Sequence, residues 1–322
     1  MKNFGKKPIF EIPAKTVINF DSAFKDKLLC DGIAFSTGSA CYYSCSFCYV
    51  PQLMIKDKRI KDIADKTNTK FEDFAIRRGN ALNVMRNQLF DNKGKARFTD
   101  PNDNRVAYSS PLVDVAASVE LAKETIEACK LILNNTFWQI RLLSKSNLLP
   151  MIAHELGDFK ERVIYGVSTG TLNDKLAKSF EEGTPLVSKR IASLHKLQDE
   201  GFRTFGMVCP SLPQNSYDDF SKEILAAIRA DKCEHVWAEV INVRGESMIR
   251  TCKALTDAGF VNEANMLKNV STDSVLWEQY ARDTYLSHAK YCNNLRFLQY
   301  VTKDSLTFWD KKPGAVLLGT AK

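Results

Sequence analysis

The sequence predicts an α/β fold in which a parallel β/α array is followed by a C-terminal extension. Three observations point there. Strand-like and helix-like segments alternate about six times between residues 32 and 245, the pattern of successive βαβ units. The chain has 322 residues and is 44% hydrophobic, enough for one large α/β core. Residues 246–322 then lose the alternation. The expected organisation is an N-terminal arm (1–30), the array (31–245) and the extension (246–322). The order alone leaves open a full barrel, a partial barrel or a doubly wound sheet, and each puts its site at the C-terminal ends of the strands.

The elements follow in chain order. "GIAFSTGSA" (32–40) reads as a strand running into a loop of small residues, and "FEDFAIRRGNALNVMRNQLF" (71–90) has apolar residues at helical spacing. "RVAYSS" (105–110) is a short strand ended by Pro111, and "DVAASVELAKETIEACKLILNN" (114–135) is an amphipathic helix with Asp114 as its N-cap. "FWQIRLLSK" (137–145) and "RVIYGVST" (162–169) are strands on either side of a short helix with Pro150 in its first turn. "PLVSKRIASLHKLQDEG" (185–201) is a helix closed by Gly201, "FRTFGMVCPSLP" (202–213) a strand, "SYDDFSKEILAAIRAD" (216–231) a helix capped by Ser216, and "HVWAEVINV" (235–243) a strand. The extension reads as a helical stretch (262–291) and then "LRFLQYVTKDSLTFWD", expected as a terminal hairpin.

No apolar run reaches membrane-spanning length, and the N-terminus lacks the apolar core of a signal peptide, so a cytoplasmic protein without a membrane partner is expected. In that compartment nine cysteines are not a disulfide framework, and clustered ones point to metal. The charge of +7 is uneven. Residues 1–110 hold 19 basic and 12 acidic residues, and residues 111–322 hold 26 of each. A phosphate-facing surface and a plain solvated helix face both account for "KDKRIKDIADK" (56–66).

"ACYYSCSFCYVP" (40–51) sets Cys41, Cys45 and Cys48 at C-x3-C-x2-C spacing, directly after the first strand of the array. Three thiolates can hold three irons of a [4Fe–4S] cluster and leave the fourth open. Structural zinc, with Cys30 as a fourth ligand, is the alternative, but it lacks a second two-ligand knuckle.

This loop, with Phe47 and Tyr49 flanking its last cysteine, resembles that of the radical S-adenosylmethionine (SAM) superfamily. "LLSKSNLL" (142–149), the stretch 163–202 and "GMVCPSLP" (206–213) resemble successive blocks of its spore photoproduct lyase-like branch. The resemblance implies a partial (β/α)6 TIM-like radical SAM barrel, a [4Fe–4S] cluster on Cys41, Cys45 and Cys48, and reductive cleavage of SAM to a 5′-deoxyadenosyl radical. It implies SAM contacts at Ser110, Lys145 and Ser168, a Glu181–Arg190 ion pair of structural kind, and an electron donor such as flavodoxin or ferredoxin. DNA or RNA, met through the basic first third, is the expected substrate. A peptide or small-molecule substrate and a non-catalytic Fe–S nucleic-acid-binding protein are the alternatives. The branch's hydrogen-donating cysteine is absent, because Tyr108 stands in its place. Tyr49 and Tyr108 are therefore the candidate catalytic residues, Tyr108 doubling as an ordinary core residue. Asn242 and Arg244, after the sixth strand, are further candidates for substrate contact.

Overall fold

A computed structural model describes residues 7–39, 41–109, 111–242, 246–301 and 304–319. It divides into two compact units, Met1–Ser44 with Cys48–Tyr165, and Cys45–Phe47 with Gly166–Lys322.

The first unit contains β1 (Ile9–Glu11), β2 (Ile18–Asn19), β3 (Ile33–Phe35), β4 (Gly38–Ser39), α1 (Val50–Met54), α2 (Lys58–Thr67), β5 (Ala75–Arg77), α3 (Ala81–Leu89), β6 (Val106–Ser109), α4 (Val119–Leu133), β7 (Gln139–Ser144) and α5 (Leu149–Glu155). Its strand row runs β2-β3-β6-β7, with β3, β6 and β7 parallel and β2 antiparallel on the edge. The next strand, β8 (Val163–Ser168), is the one in which the division falls. A small sheet, β1-β5-β4, stands apart from this row. It shares a local core in which Ile12, Val50, Met54, Ile60, Ala64, Phe74 and Ile76 are buried.

The second unit contains α6 (Asp174–Phe180), α7 (Val187–Asp199), β9 (Arg203–Ser211), α8 (Tyr217–Ala227), β10 (Val236–Val240), α9 (Ser247–Asp257), α10 (Val261–Thr272), α11 (Ser274–Tyr291), β11 (Leu295–Tyr300), α12 (Leu306–Trp309) and β12 (Ala315–Leu318). Here β9, β10, β11 and β12 are parallel neighbours in that order. The expected α/β class is present. Among the described residues the rows end at β2 and β12, and no barrel closes. No helix is long and apolar enough to cross a membrane among these residues.

Three local expectations are corrected. The helix expected over 71–90 is β5 followed by α3: Phe74 and Ile76 enter the local core while Arg77 is exposed, so the first half of the segment follows strand period. The helix expected from Asp114 begins later. Its N-cap is Ser118, whose side chain accepts from the Leu121 N–H, and the Asp114 carboxylate is engaged elsewhere. The expected terminal hairpin is instead a parallel β11-α12-β12 unit, so the extension continues the array beyond β10. The two apolar runs are too far apart for a tight hairpin turn. The segment between them carries Trp309, which is buried and stacks on Phe297 with ring centroids 5.7 Å apart, holding α12 against the sheet.

Candidate functional site

The cysteine loop lies between β4 and α1. Ser44 takes a left-handed conformation (φ 49°), which turns the chain just before Cys45. In the first unit, Val50 and Met54 of α1 are anchored in the local core, and Cys48 packs against that core. The Tyr43 hydroxyl donates to the Ala116 carbonyl at 3.4 Å, and the Tyr49 hydroxyl donates to the Pro111 carbonyl. Desolvation pushes the Cys41 thiol up to about 12, and the charges of Asp114 and Cys48 add to it, while the backbone N–H groups of Tyr43 and Asp114 act the other way. Such a sulfur keeps its proton at neutral pH unless a metal cation replaces it.

In the second unit, Cys45 forms an isolated antiparallel bridge with Glu181. The Ser46 N–H donates to the Phe180 carbonyl at 2.8 Å, Ser46 Oγ lies 2.9 Å from Thr251 Oγ1, and Phe47 packs on Phe180 at 5.9 Å. The end of α6 and the side of α9 therefore fix this part of the loop. None of the nine cysteines is in a disulfide. Among the described residues no three His, Cys, Asp or Glu side chains are gathered into a metal-holding group. The donor chemistry still fits a three-ligand iron–sulfur cluster: three soft thiols in one loop, one of them approached by two amide N–H groups.

At the strand ends of the first unit the organising residue is Asp114, which the sequence marks only as a helix cap. One carboxylate oxygen accepts from Ser144 Oγ at 2.6 Å and from the Ala116 N–H at 2.9 Å, and the other accepts from the Lys145 N–H at 2.7 Å. Desolvation raises its pKa, although these donors and the Lys145 charge oppose the shift. Its position was the available signal: an acid just past the end of β6 lies at the rim where such folds place their chemistry. Lys145 is partly buried at the end of β7. Ser110 lies outside the described residues. Tyr108 pairs in register with Arg141, and Ser109 with Leu142, so Tyr108 points to the sheet face opposite that of Ser144. It is buried there against Phe24, with centroids 5.2 Å apart. Tyr49, by contrast, is exposed beside Cys48.

In the second unit Ser168 ends β8, and its hydroxyl donates to the Cys209 carbonyl at 3.1 Å. The Ser168 carbonyl accepts from Arg190 at 3.2 Å. Arg190 also pairs with Glu181 at 2.6 Å, both side chains 1% exposed, and donates to Pro185 O at 2.9 Å and to Thr184 Oγ1. This pair thus connects Glu181, the residue at the end of α6 that bridges Cys45, to the end of β8. Gly170 is needed here, since a Cβ would lie 1.8 Å from the Pro210 carbonyl oxygen. The ends of β9 and β10 are held by α11: Tyr280 donates to Ser211 O and accepts from the Ile241 N–H at 3.2 Å, and Trp277 donates to Ile241 O at 3.3 Å. Asn242 follows, partly buried, and Arg244 lies outside the described residues.

The basic first third is partly self-neutralised. Arg59 forks onto Asp57 and donates to Pro13 O at 2.7 Å, and Arg78 donates to Ser36 O at 3.1 Å. Lys56, Lys58, Lys61 and Lys66 are exposed on or beside α2, with Asp62 and Asp65 among them.

No family model matches the chain. An "Uncharacterized protein ORF301" of Acidianus two-tailed virus is 23% identical over 226 residues, 69% of this chain and 71% of that protein. Solved structures of spore photoproduct lyase resemble the fold. One complexed with a dinucleoside spore photoproduct has a TM-score of 0.51 at 12% identity, covering 77% of this chain and 66% of that one. A variant of that lyase with bound AdoMet and the same dinucleoside has the same score and coverage. This chain spans just under two thirds of those lyases, and at such identity the likeness is one of fold.

Proposed function

We propose that this chain is a radical SAM enzyme that acts on a nucleic acid. The observation that carries the reading is the C-x3-C-x2-C loop, in which a desolvated Cys41 sulfur is met by amide N–H groups at the rim of a β/α array. The fold likeness to lyases seen with AdoMet and a dinucleoside supports it. Cys41, Cys45 and Cys48 would hold a [4Fe–4S] cluster. When bound, that cluster supplies the electron for reductive cleavage of SAM to a 5′-deoxyadenosyl radical. Lys145 offers a cation to the SAM carboxylate, and Ser110 and Ser168 offer hydroxyls. The buried Glu181–Arg190 pair and the α11 clamp keep the strand ends in place, and the buried aromatic and aliphatic side chains behind them exclude water. Of the two tyrosines, the exposed Tyr49 is the better placed to meet substrate, and Tyr108 serves packing. The exposed lysines of 56–66 favour a phosphate-bearing substrate, and reduction calls for a carrier such as flavodoxin or ferredoxin.

The test is anaerobic incubation with SAM, reductant and single-stranded or damaged DNA or RNA. The expected result is 5′-deoxyadenosine that carries deuterium from a labelled nucleic acid. Cleavage of SAM without label transfer from any nucleic acid would shift the reading to a peptide or small-molecule substrate. Absence of SAM cleavage in cluster-bearing, reduced protein would leave a non-catalytic iron–sulfur protein.

A further inference from the structure

We propose that Asp114 is the positioning residue that holds the cluster ligand Cys41 and the Lys145 end of β7 in one geometry, an assignment that rests on the function proposed above. No helix needs Asp114 as a cap, since α4 is capped by Ser118. Its carboxylate instead reaches across 30 and 31 residues to the Ser144 hydroxyl and the Lys145 N–H. The Ser144 hydroxyl in turn accepts from the Ser146 N–H at 2.9 Å, and Ser146 Oγ accepts from the Leu148 N–H at 3.1 Å. One acidic side chain therefore orders the whole turn that carries Lys145. The charge and backbone N–H of the same residue also bear on the Cys41 thiol, which would bind iron.

A carboxylate suits this task better than an amide. It has two acceptor oxygens and no donor, and this site presents three donors to it. Asparagine keeps one acceptor and turns an NH2 toward donors on its other side. The link also gives the two cofactor sites a common dependence: displacement of Asp114 loosens a sulfur ligand and moves the cation meant for the SAM carboxylate.

The experiment compares wild type with Asp114→Asn, Asp114→Ala and Lys145→Ala. In metal-free protein, hydrogen exchange over residues 143–148 reads the link without any cofactor. Exchange at the Lys145 amide should rise roughly tenfold or more in Asp114→Ala, as expected for the loss of a charge-assisted hydrogen bond. In anaerobically reconstituted protein, Asp114→Ala should lose both iron retention against a chelator and, by about tenfold, SAM affinity. Lys145→Ala should lose SAM affinity alone. Asp114→Asn should fold, bind SAM with intermediate affinity, and show a higher cluster midpoint potential, because a negative charge next to a ligand sulfur has gone. A purely structural role would leave that potential in place. Wild-type exchange at 143–148 in Asp114→Ala overturns the proposal, as does an unchanged potential and SAM affinity in Asp114→Asn. If Asp114→Ala does not fold, Asp114→Asn decides. If wild type itself assembles no cluster, the proposed function fails, and the exchange data still report separately on the Asp114 link.

Discussion

Removing Arg190 should be the most destabilising single polar change in the second unit. Its guanidinium is 1% exposed, pairs with an equally buried Glu181 carboxylate at 2.6 Å, and donates to the carbonyls of Pro185 and Ser168. Arg190→Met keeps most of the volume and deletes the charge. Glu181 is then left as a buried carboxylate without its counter-ion, a situation that costs about 3–5 kcal/mol. For a unit of this size each kcal/mol lowers the melting temperature by about 2–4 °C, so the shift is on the order of 10 °C. The double variant Glu181→Gln/Arg190→Met removes the lone charge and leaves only the unmet carbonyls, at about 1 kcal/mol each. It should therefore melt above the single variant. The assay is thermal and urea unfolding followed by circular dichroism. A single variant within roughly 2 °C of wild type, or a double variant no better than the single one, would refute the buried-pair account.

Lys145→Ala should weaken SAM binding by about 1.5–3 kcal/mol in calorimetry, the scale of a charge-assisted hydrogen bond, with iron content unchanged. His288 is buried with its Nδ1 2.6 Å from Ser221 Oγ, and burial lowers its pKa from 6.5 to about 4. The folded state therefore binds fewer protons than the unfolded state between those values. Stability is fully present above pH 6.5 and should fall by about 3 kcal/mol as pH drops to 4, a decline that His288→Phe should largely remove in urea titrations at stepped pH. Changing Lys56, Lys58 and Lys61 to Gln should flatten the log–log salt dependence of nucleic-acid binding by up to about three, read by fluorescence anisotropy. Identical slopes would place the phosphate contacts elsewhere.

The parallel strands were legible because they are buried on both faces and read as unbroken apolar runs, as in Val163–Ser168, where every residue is buried. Cap chemistry was legible where the donor lies within a turn of the cap, as at Ser216, which accepts from the Asp219 N–H. Strands of two or three residues, such as β2 and β4, are too short for any period to declare itself. β5 was hidden because Phe74, Ala81 and Met85 also fit a helical stripe. The cysteine spacing is local and could be read. The ties that order the site are not local: Asp114 reaches to Lys145, and Ser46 of the loop to Thr251. The sequence sets Asp114 just past the end of β6, but no one-dimensional pattern shows its partners Ser144 and Lys145.

The cluster itself is the central claim, and anaerobic metal and sulfide analysis tests it most directly. Wild-type protein should hold about four irons and four acid-labile sulfides per chain, as a three-thiolate [4Fe–4S] site requires. Alanine at Cys41, Cys45 or Cys48 should abolish them, and alanine at the buried Cys129 should not. Stoichiometric zinc without sulfide, or full iron content in any of the three loop variants, would contradict the account.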